Sequence, residues 1–136
     1  MSQQAVVDAI YTAFSGDTGA GGVSTLTGAR IYNAIGPENV ALPWLEFHLV
    51  TDVPQNFFSG QNLDSEFDVN VYGLRSAGSK VTRTIAERVY TLMHAVALTI
   101  TGITGASTWC LDRGTTDPEE DAYRHLMRWR VIGTGV

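Results

Sequence analysis

The sequence predicts an α+β fold: a mixed, mainly antiparallel sheet of four to five strands with two helices packed on one face. Two stretches carry that prediction. Along 66–73, Phe67, Val69, Val71 and Gly73 fall on one side while Glu66, Asp68, Asn70 and Tyr72 fall on the other, the period-two pattern of a half-buried strand. After a turn at 75–79 the apolar positions become Val81, Ile85, Val89, Leu92 and Val96, three or four residues apart, which is the period of an amphipathic helix. A helix running to about residue 97 can lie across the apolar side of the sheet. That side is then sealed, and the other stays polar and available.

The remaining elements follow in chain order. Residues 3–15 read as a first helix, with Val6, Val7, Ile10, Tyr11 and Phe14 as its apolar stripe and Gly16 placed to end it. The stretch 16–22 is too rich in glycine for regular structure and follows a helix rather than a strand, so it reads as a flexible loop and not as an anion cradle. Arg30-Ile31-Tyr32-Asn33 is a short strand, followed by a polar loop through Pro37, Glu38 and Asn39. Pro43 then introduces a strand over 44–50, in which Leu45, Phe47 and Leu49 face one way and Trp44, Glu46 and His48 the other. It pairs with the 66–73 strand as an antiparallel hairpin. The connection, 51–64, carries the adjacent aromatics Phe57 and Phe58 between Pro54 and Gly60. Loops are normally polar, so these rings either fold back on the core or form an adhesive tip. The long helix is expected to fray over 99–105, with another strand at 107–111 and an acidic loop over 112–121 around Pro118. In the last strand, 122–132, Tyr123, His125, Met127, Trp129 and Val131 alternate with Arg124, Leu126, Arg128 and Arg130. Arg128 and Arg130 thereby share the polar face with Glu66 and Asp68.

At 136 residues the chain suits one domain, 1–136, with enough length for a real core. Its charged fraction of 17% lies below the roughly 25% usual for globular proteins, as expected where neighbours cover part of the surface. A net charge of -5 argues against an electrostatic grip on nucleic acid, which needs clustered Lys and Arg. The lone Cys110 excludes an internal disulfide or a cysteine-cluster metal site, and between Trp109 and Leu111 it reads as a small buried hydrophobe. No basic segment with an apolar run opens the chain, and no apolar run nears the ~18 residues of a membrane span. Synthesis and folding in a cytoplasm are expected.

Catalytic chemistry is not legible. Gly73-Leu74-Arg75-Ser76-Ala77-Gly78-Ser79-Lys80 sits between strand and helix as a phosphate-binding loop would, but Ser and Lys are transposed relative to GxxxxGK[ST]. The lysine must reach the terminal phosphates and the hydroxyl must reach the metal from fixed places. No downstream apolar run ends in a metal-binding Asp, and a helix start with Ser76 or Ser79 as N-cap is the better reading. There is no GxSxG elbow, HExxH or dinucleotide fingerprint, and His48, His94 and His125 are scattered over separate elements. Asp117, Glu119, Glu120 and Asp121 lack the spacing and the turn glycine of a calcium loop. Glu66 and Asp68, two apart on one strand face, have the placing of paired acids, but arginines in the same sheet favour an ionic ladder at a subunit contact. The expectation is a protein that is no enzyme and holds no cofactor or metal.

Ala29-Arg30-Ile31-Tyr32, the Ala41-Leu42-Pro43-Trp44 lead into a strand, Phe67-Asp68-Val69-Asn70-Val71-Tyr72-Gly73 before a long helix, and Ala122-Tyr123 opening an Arg-rich strand follow a familiar order. From about residue 5 to 132 the chain resembles the tail terminator, or tail completion, proteins of long-tailed bacteriophages, prophages and gene transfer agents. Its 16–22 stretch and its acidic loop before Ala122 look longer than usual for that family.

The resemblance implies a structural virion protein of the tail, assembled in the host cytoplasm as a homohexameric ring on the head-proximal end of the tail tube. Its partners would be other copies of itself, the tail tube protein and the head connector protein. DNA would only pass through the channel, and no membrane is involved. A closed ring uses a heterologous interface, and the polar face bearing Trp44, Glu46, His48, Asp68, Tyr72, Arg128 and Arg130 offers both charge signs and aromatics for it. Phe57 and Phe58 would touch the tube or connector. The alternatives are another head-tail connector or minor tail protein, or a small enzyme or ligand-binding domain with a concave pocket of convergent polar groups.

Overall fold

The computed structural model describes residues 3–33, 41–50, 62–74, 76, 78–114, 116–118 and 122–135. In chain order these form α1 (Gln3–Ser15), α2 (Val23–Thr27), β1 (Ile31–Asn33), β2 (Trp44–Leu49), β3 (Asn62–Leu74), α3 (Lys80–Met93), β4 (Val96–Ala97), β5 (Ile103–Asp112), β6 (Thr116–Pro118) and β7 (Ala122–Gly135). Six strands lie side by side in the order β1-β2-β3-β7-β5-β4, and β6 pairs with β7 off that path. Only β1 and β2 run parallel, so the sheet is mixed and mainly antiparallel, as expected.

The expected four to five strands and two helices need correction, since the described residues hold three helices and a larger sheet. The additions are short: α2 has five residues, β4 two and β6 three. Segments of that length show no periodicity, and pairing or packing partners elsewhere in the chain create them.

The centre is the β3–β7 ladder, in register from Asn62↔Thr134 to Leu74↔Ala122. Cross-strand partners share a face and successive residues alternate, so Phe67, Val69 and Val71 of β3 meet Trp129, Met127 and His125 of β7 on one side. Leu45 and Phe47 of β2 extend that side. Over it pack Val6, Ile10 and Phe14 of α1 with Ile85, Ala86, Val89 and Met93 of α3. Phe14 meets Phe47 edge-on at 5.8 Å, and Phe67 stacks on Trp129 at 6.2 Å. Each such large side chain contributes about 1.5–3 kcal/mol on burial, and together they dominate the stability.

The inward row of α1 is narrower than its sequence stripe. Val7 is half-buried and Tyr11 is 44% exposed, because a turn of about 100° per residue carries them off the Val6–Ile10–Phe14 line. The long helix also stops sooner than its apolar spacing implies. α3 ends at Met93, His94 is its C-cap with extended backbone, and Ala95 is left-handed at φ 58°. Val96 then lies in β4, 40% exposed. Strand β5 causes this by supplying competing partners: Thr108 Oγ1 donates to Met93 O, Ala95 N to Thr108 O, Leu98 N to Ala106 O, and Cys110 N to His94 Nδ1. The predicted fray at 99–105 therefore falls beyond the helix altogether.

At the other end of α3, Ser79 occupies the N-cap position but makes no side-chain cap bond; Thr82 Oγ1 instead donates to Ser79 O at 2.9 Å. Here α3 packs tightly on β3. A Cβ on Gly73 would sit 2.7 Å from Thr82 Cγ2, and Thr82 is fully buried.

The glycine-rich stretch is pinned rather than left free. Asp17 Oδ2 accepts from Val23 N at 2.8 Å, at the start of α2, and both carboxylate oxygens accept from Arg88 of α3 at 2.8 and 2.7 Å. Thr25 Oγ1 ties back to the carbonyls of Thr18 and Gly19. The Arg88 guanidinium holds the Asp17 carboxyl below its usual pKa of 3.8, outweighing the opposing effect of burial.

Gly73→Ala is expected to cost about 1–3 kcal/mol by overpacking the β3–α3 contact, read as a lowered urea midpoint at unchanged slope. The Asp17 shift predicts a pH window. Because its folded-state pKa is depressed, its stabilisation is present above the unfolded value and is lost as pH falls below about 4 through the folded value. Asp17→Asn should be less stable at pH 7 and show a flatter stability profile below pH 4, measured by denaturation across a pH series.

Candidate subunit interface

The face of the sheet turned away from α1 and α3 is built in rows by the strand registers. Trp44, Tyr72 and Arg124 form one row, and Glu46, Asn70 and Leu126 the next. His48, Asp68, Arg128 and Asp112 form a third, followed by Glu66, Arg130 and Trp109. All seven residues expected to form the subunit contact, Trp44, Glu46, His48, Asp68, Tyr72, Arg128 and Arg130, thus lie on one face. Phe57 and Phe58 lie outside the described residues.

One end of this face is aromatic. Trp44 and Tyr72 stack at 4.4 Å with their planes 16° apart, and Tyr32 of β1 meets Trp44 edge-on at 5.9 Å. Glu46 Oε1 accepts from Asn70 Nδ2 at 3.1 Å and Tyr72 Oη at 3.4 Å. Burial, then the Glu46 charge, push the Tyr72 phenol above its usual pKa, so it stays a neutral donor. Asn70 is only 6% exposed, and its Oδ1 is buried with no hydrogen-bond partner among the described residues.

The other end is ionic, and its strongest pairs close within the chain. Arg128 donates to both oxygens of Asp68 at 2.8 and 3.1 Å, and Arg130 to both oxygens of Asp64 at 2.8 and 2.6 Å. Two parallel bonds between planar groups fix orientation as well as distance. The Arg130 guanidinium holds the Asp64 carboxyl below its usual range, while the carboxylates raise both arginines. His48 Nε2 stands 3.9 Å from Asp68 Oδ2, and Asp68 is 7% exposed. The ladder expected from Glu66 and Asp68 keeps Asp68 and gains Asp64, these two carrying the bidentate pairs, while Glu66 lies across from Arg130. Asp64 shares the even phase of Glu66 and Asp68, but the strand extends to Asn62, beyond the alternating stretch.

Trp109 and Leu126 also belong to this face and are exposed. Leu126 interrupts the arginine row of β7, and Trp109 is assigned to the face only through its pairing with Arg130. Neither has a sequence signal of its own beyond strand phase.

The other candidate chemical groups stay apart. His94 caps α3 and stacks on Tyr90 at 4.6 Å, His125 lies on the apolar side with Nε2 2.7 Å from Arg113 O, and His48 is on the polar face. Cys110 is half-buried, and burial pushes its thiol pKa up, the opposite of what a nucleophile needs. No group of three His, Cys, Asp or Glu among the described residues could hold a metal ion, and no described helix is long and apolar enough to cross a membrane. Glu119, Glu120 and Asp121 of the acidic loop lie outside those residues. Clefts also open among the described residues. A groove of about 620 Å³ runs between Gln4, Asp8 and Thr12 of α1 and the segment holding Leu98, Thr99 and Thr101. A cleft of about 250 Å³ is bordered by Arg83, Glu87, Arg113 and His125, with Glu87 and Arg113 already paired at 3.0 Å.

The model of a family described as tail completion protein gp17 matches residues 8–133. Among solved structures, a chain from the virion of a native gene transfer agent particle is similar to this one at a TM-score of 0.73 and 19% identity, with 98% of this chain and 100% of that chain covered. A second solved chain is similar at a TM-score of 0.66 and 15% identity, covering 100% of this chain and 97% of its own length. At such identities the likeness concerns the fold. No curated protein matches the chain in sequence.

Removing the Glu46 carboxylate strands the buried Asn70 amide. Glu46→Ala is expected to cost about 1–3 kcal/mol, and Glu46→Gln distinctly less because it keeps an acceptor, both measured by chemical denaturation.

Proposed function

Because the chain belongs to the tail completion protein gp17 family, we propose that it is the subunit that caps the head-proximal end of a tail tube, ends tube polymerisation and joins tail to head. The chain is a structural protein of the virion tail, and this family is one of structural components rather than enzymes. Association with other tail or head proteins follows from that setting. The specific partners proposed are other copies of the chain in a homohexameric ring, the tail tube protein and the head connector, with DNA only passing through the channel.

The observation that carries the ring reading is the make-up of the outer sheet face. Its aromatic row and its two bidentate ion pairs are held in place by the chain itself, so little side-chain freedom remains to be lost on contact. Its strongest charges are already neutralised, which lowers the desolvation cost of covering it with protein. Its aromatic groups match the composition of protein–protein contacts. Trp44, Glu46, His48, Asp68, Tyr72, Arg128 and Arg130 form this contact in the proposal, Arg128 and Arg130 by orienting Asp68 and Asp64 rather than by reaching across. Phe57 and Phe58 are proposed to touch the tube or the connector.

Electron microscopy of the purified protein, alone and mixed with tail tubes, tests this reading. Rings with a central hole, free or seated on one end of the tubes, are expected. Particles that stay monomeric and leave tube ends bare would refute it.

A further inference from the structure

A ring of more than two members joins unlike surfaces, so the outer sheet face needs a different patch on the next copy. We propose that this patch is the outward side of the N-terminal half of α3, centred on Lys80 and Arg83; the proposal rests on the ring reading above. Charge complementarity selects it.

On the sheet face, Asp64 is answered by Arg130 and Asp68 by Arg128. With Glu46, Glu66, Asp112 and Arg124 counted beside these pairs, the rows of the face hold five acids and three arginines among the described residues. The outward side of α3 has the reverse balance. Arg88 is answered by Asp17 at 2.7 Å and Glu87 by Arg113 at 3.0 Å, while Lys80 and Arg83 are exposed and in no ion pair among the described residues. These two cations lie one helical turn apart and so project from the same side. Shape agrees with charge: the cleft of about 250 Å³ bordered by Arg83 and Arg113 opens beside them, a recess able to take side chains from a facing surface. The helix layer and the outer sheet face lie on opposite sides of the molecule, so docking one on the other propagates head to tail and leaves both surfaces of every copy used when the ring closes.

Assembly of the full chain by mass photometry tests the match, with folding followed by circular dichroism. Lys80→Glu with Arg83→Glu should lower the ring population at least about tenfold by placing like charges together, and adding Glu66→Lys with Asp112→Lys to the same chain should restore it. Wild-type rings should also weaken as salt rises, because exposed charges are screened beyond about 8 Å at physiological ionic strength. Rings that form normally in the Lys80→Glu, Arg83→Glu protein and ignore salt would overturn the proposal while leaving the ring itself standing. Absence of wild-type rings even on tail tubes would overturn both.

Discussion

The register between β3 and β7 is the constraint on which the other features of the protein depend. Thirteen consecutive partners, from Asn62↔Thr134 to Leu74↔Ala122, decide which side chains meet α1 and α3 and which face outward. A slip of β3 by one residue against β7 would turn Phe67, Val69 and Val71 out into water and bring Asp68 and Asn70 into the core. That penalty, many times the worth of any single contact, is why so long a ladder can tolerate buried polar groups at Asp68 and Asn70. Their partners, Arg128 and Glu46, arrive at fixed heights because the same register and that of β2 place them there.

The outer face inherits its character from this geometry. Exposed ion pairs contribute little to stability individually, typically about 0–1 kcal/mol. The pairs at Asp64 and Asp68 matter more for what they do to the surface, holding long side chains in one conformation and cancelling charge that a protein partner would otherwise have to desolvate. Beside them the Tyr32–Trp44–Tyr72 row supplies rigid apolar area. A structural tail protein is served by such a face where it meets its neighbours in the proposed ring.

A second tier of contacts sets how the helices sit on the sheet. Asp17 joins the start of α2 to the middle of α3 through Arg88, while β5 takes over the carbonyl of Met93 and the backbone that follows it. Both operate over long sequence separations. They convert a glycine-rich connection and a nominally longer helix into an ordered corner and an abrupt helix end, and they explain why α3 is only fourteen residues long.

Local pattern by itself determined the β2–β3 hairpin, the faces of β2, β3 and β7, the span of α1 and the existence of α3, since alternation and helical spacing are written into neighbouring residues. It also placed Trp44, Tyr72, Asp68, Arg128 and Arg130 on one side, because strand phase is a local property. Tertiary structure alone decided that Asp68 is spoken for by Arg128 within the chain, that Asp64 and Trp109 join the face, that Tyr11 and Val96 point outward, and that β4 and β6 exist at all. The Asp68–Arg128 pair spans 60 residues of sequence, and only the folded sheet brings such partners within bonding distance.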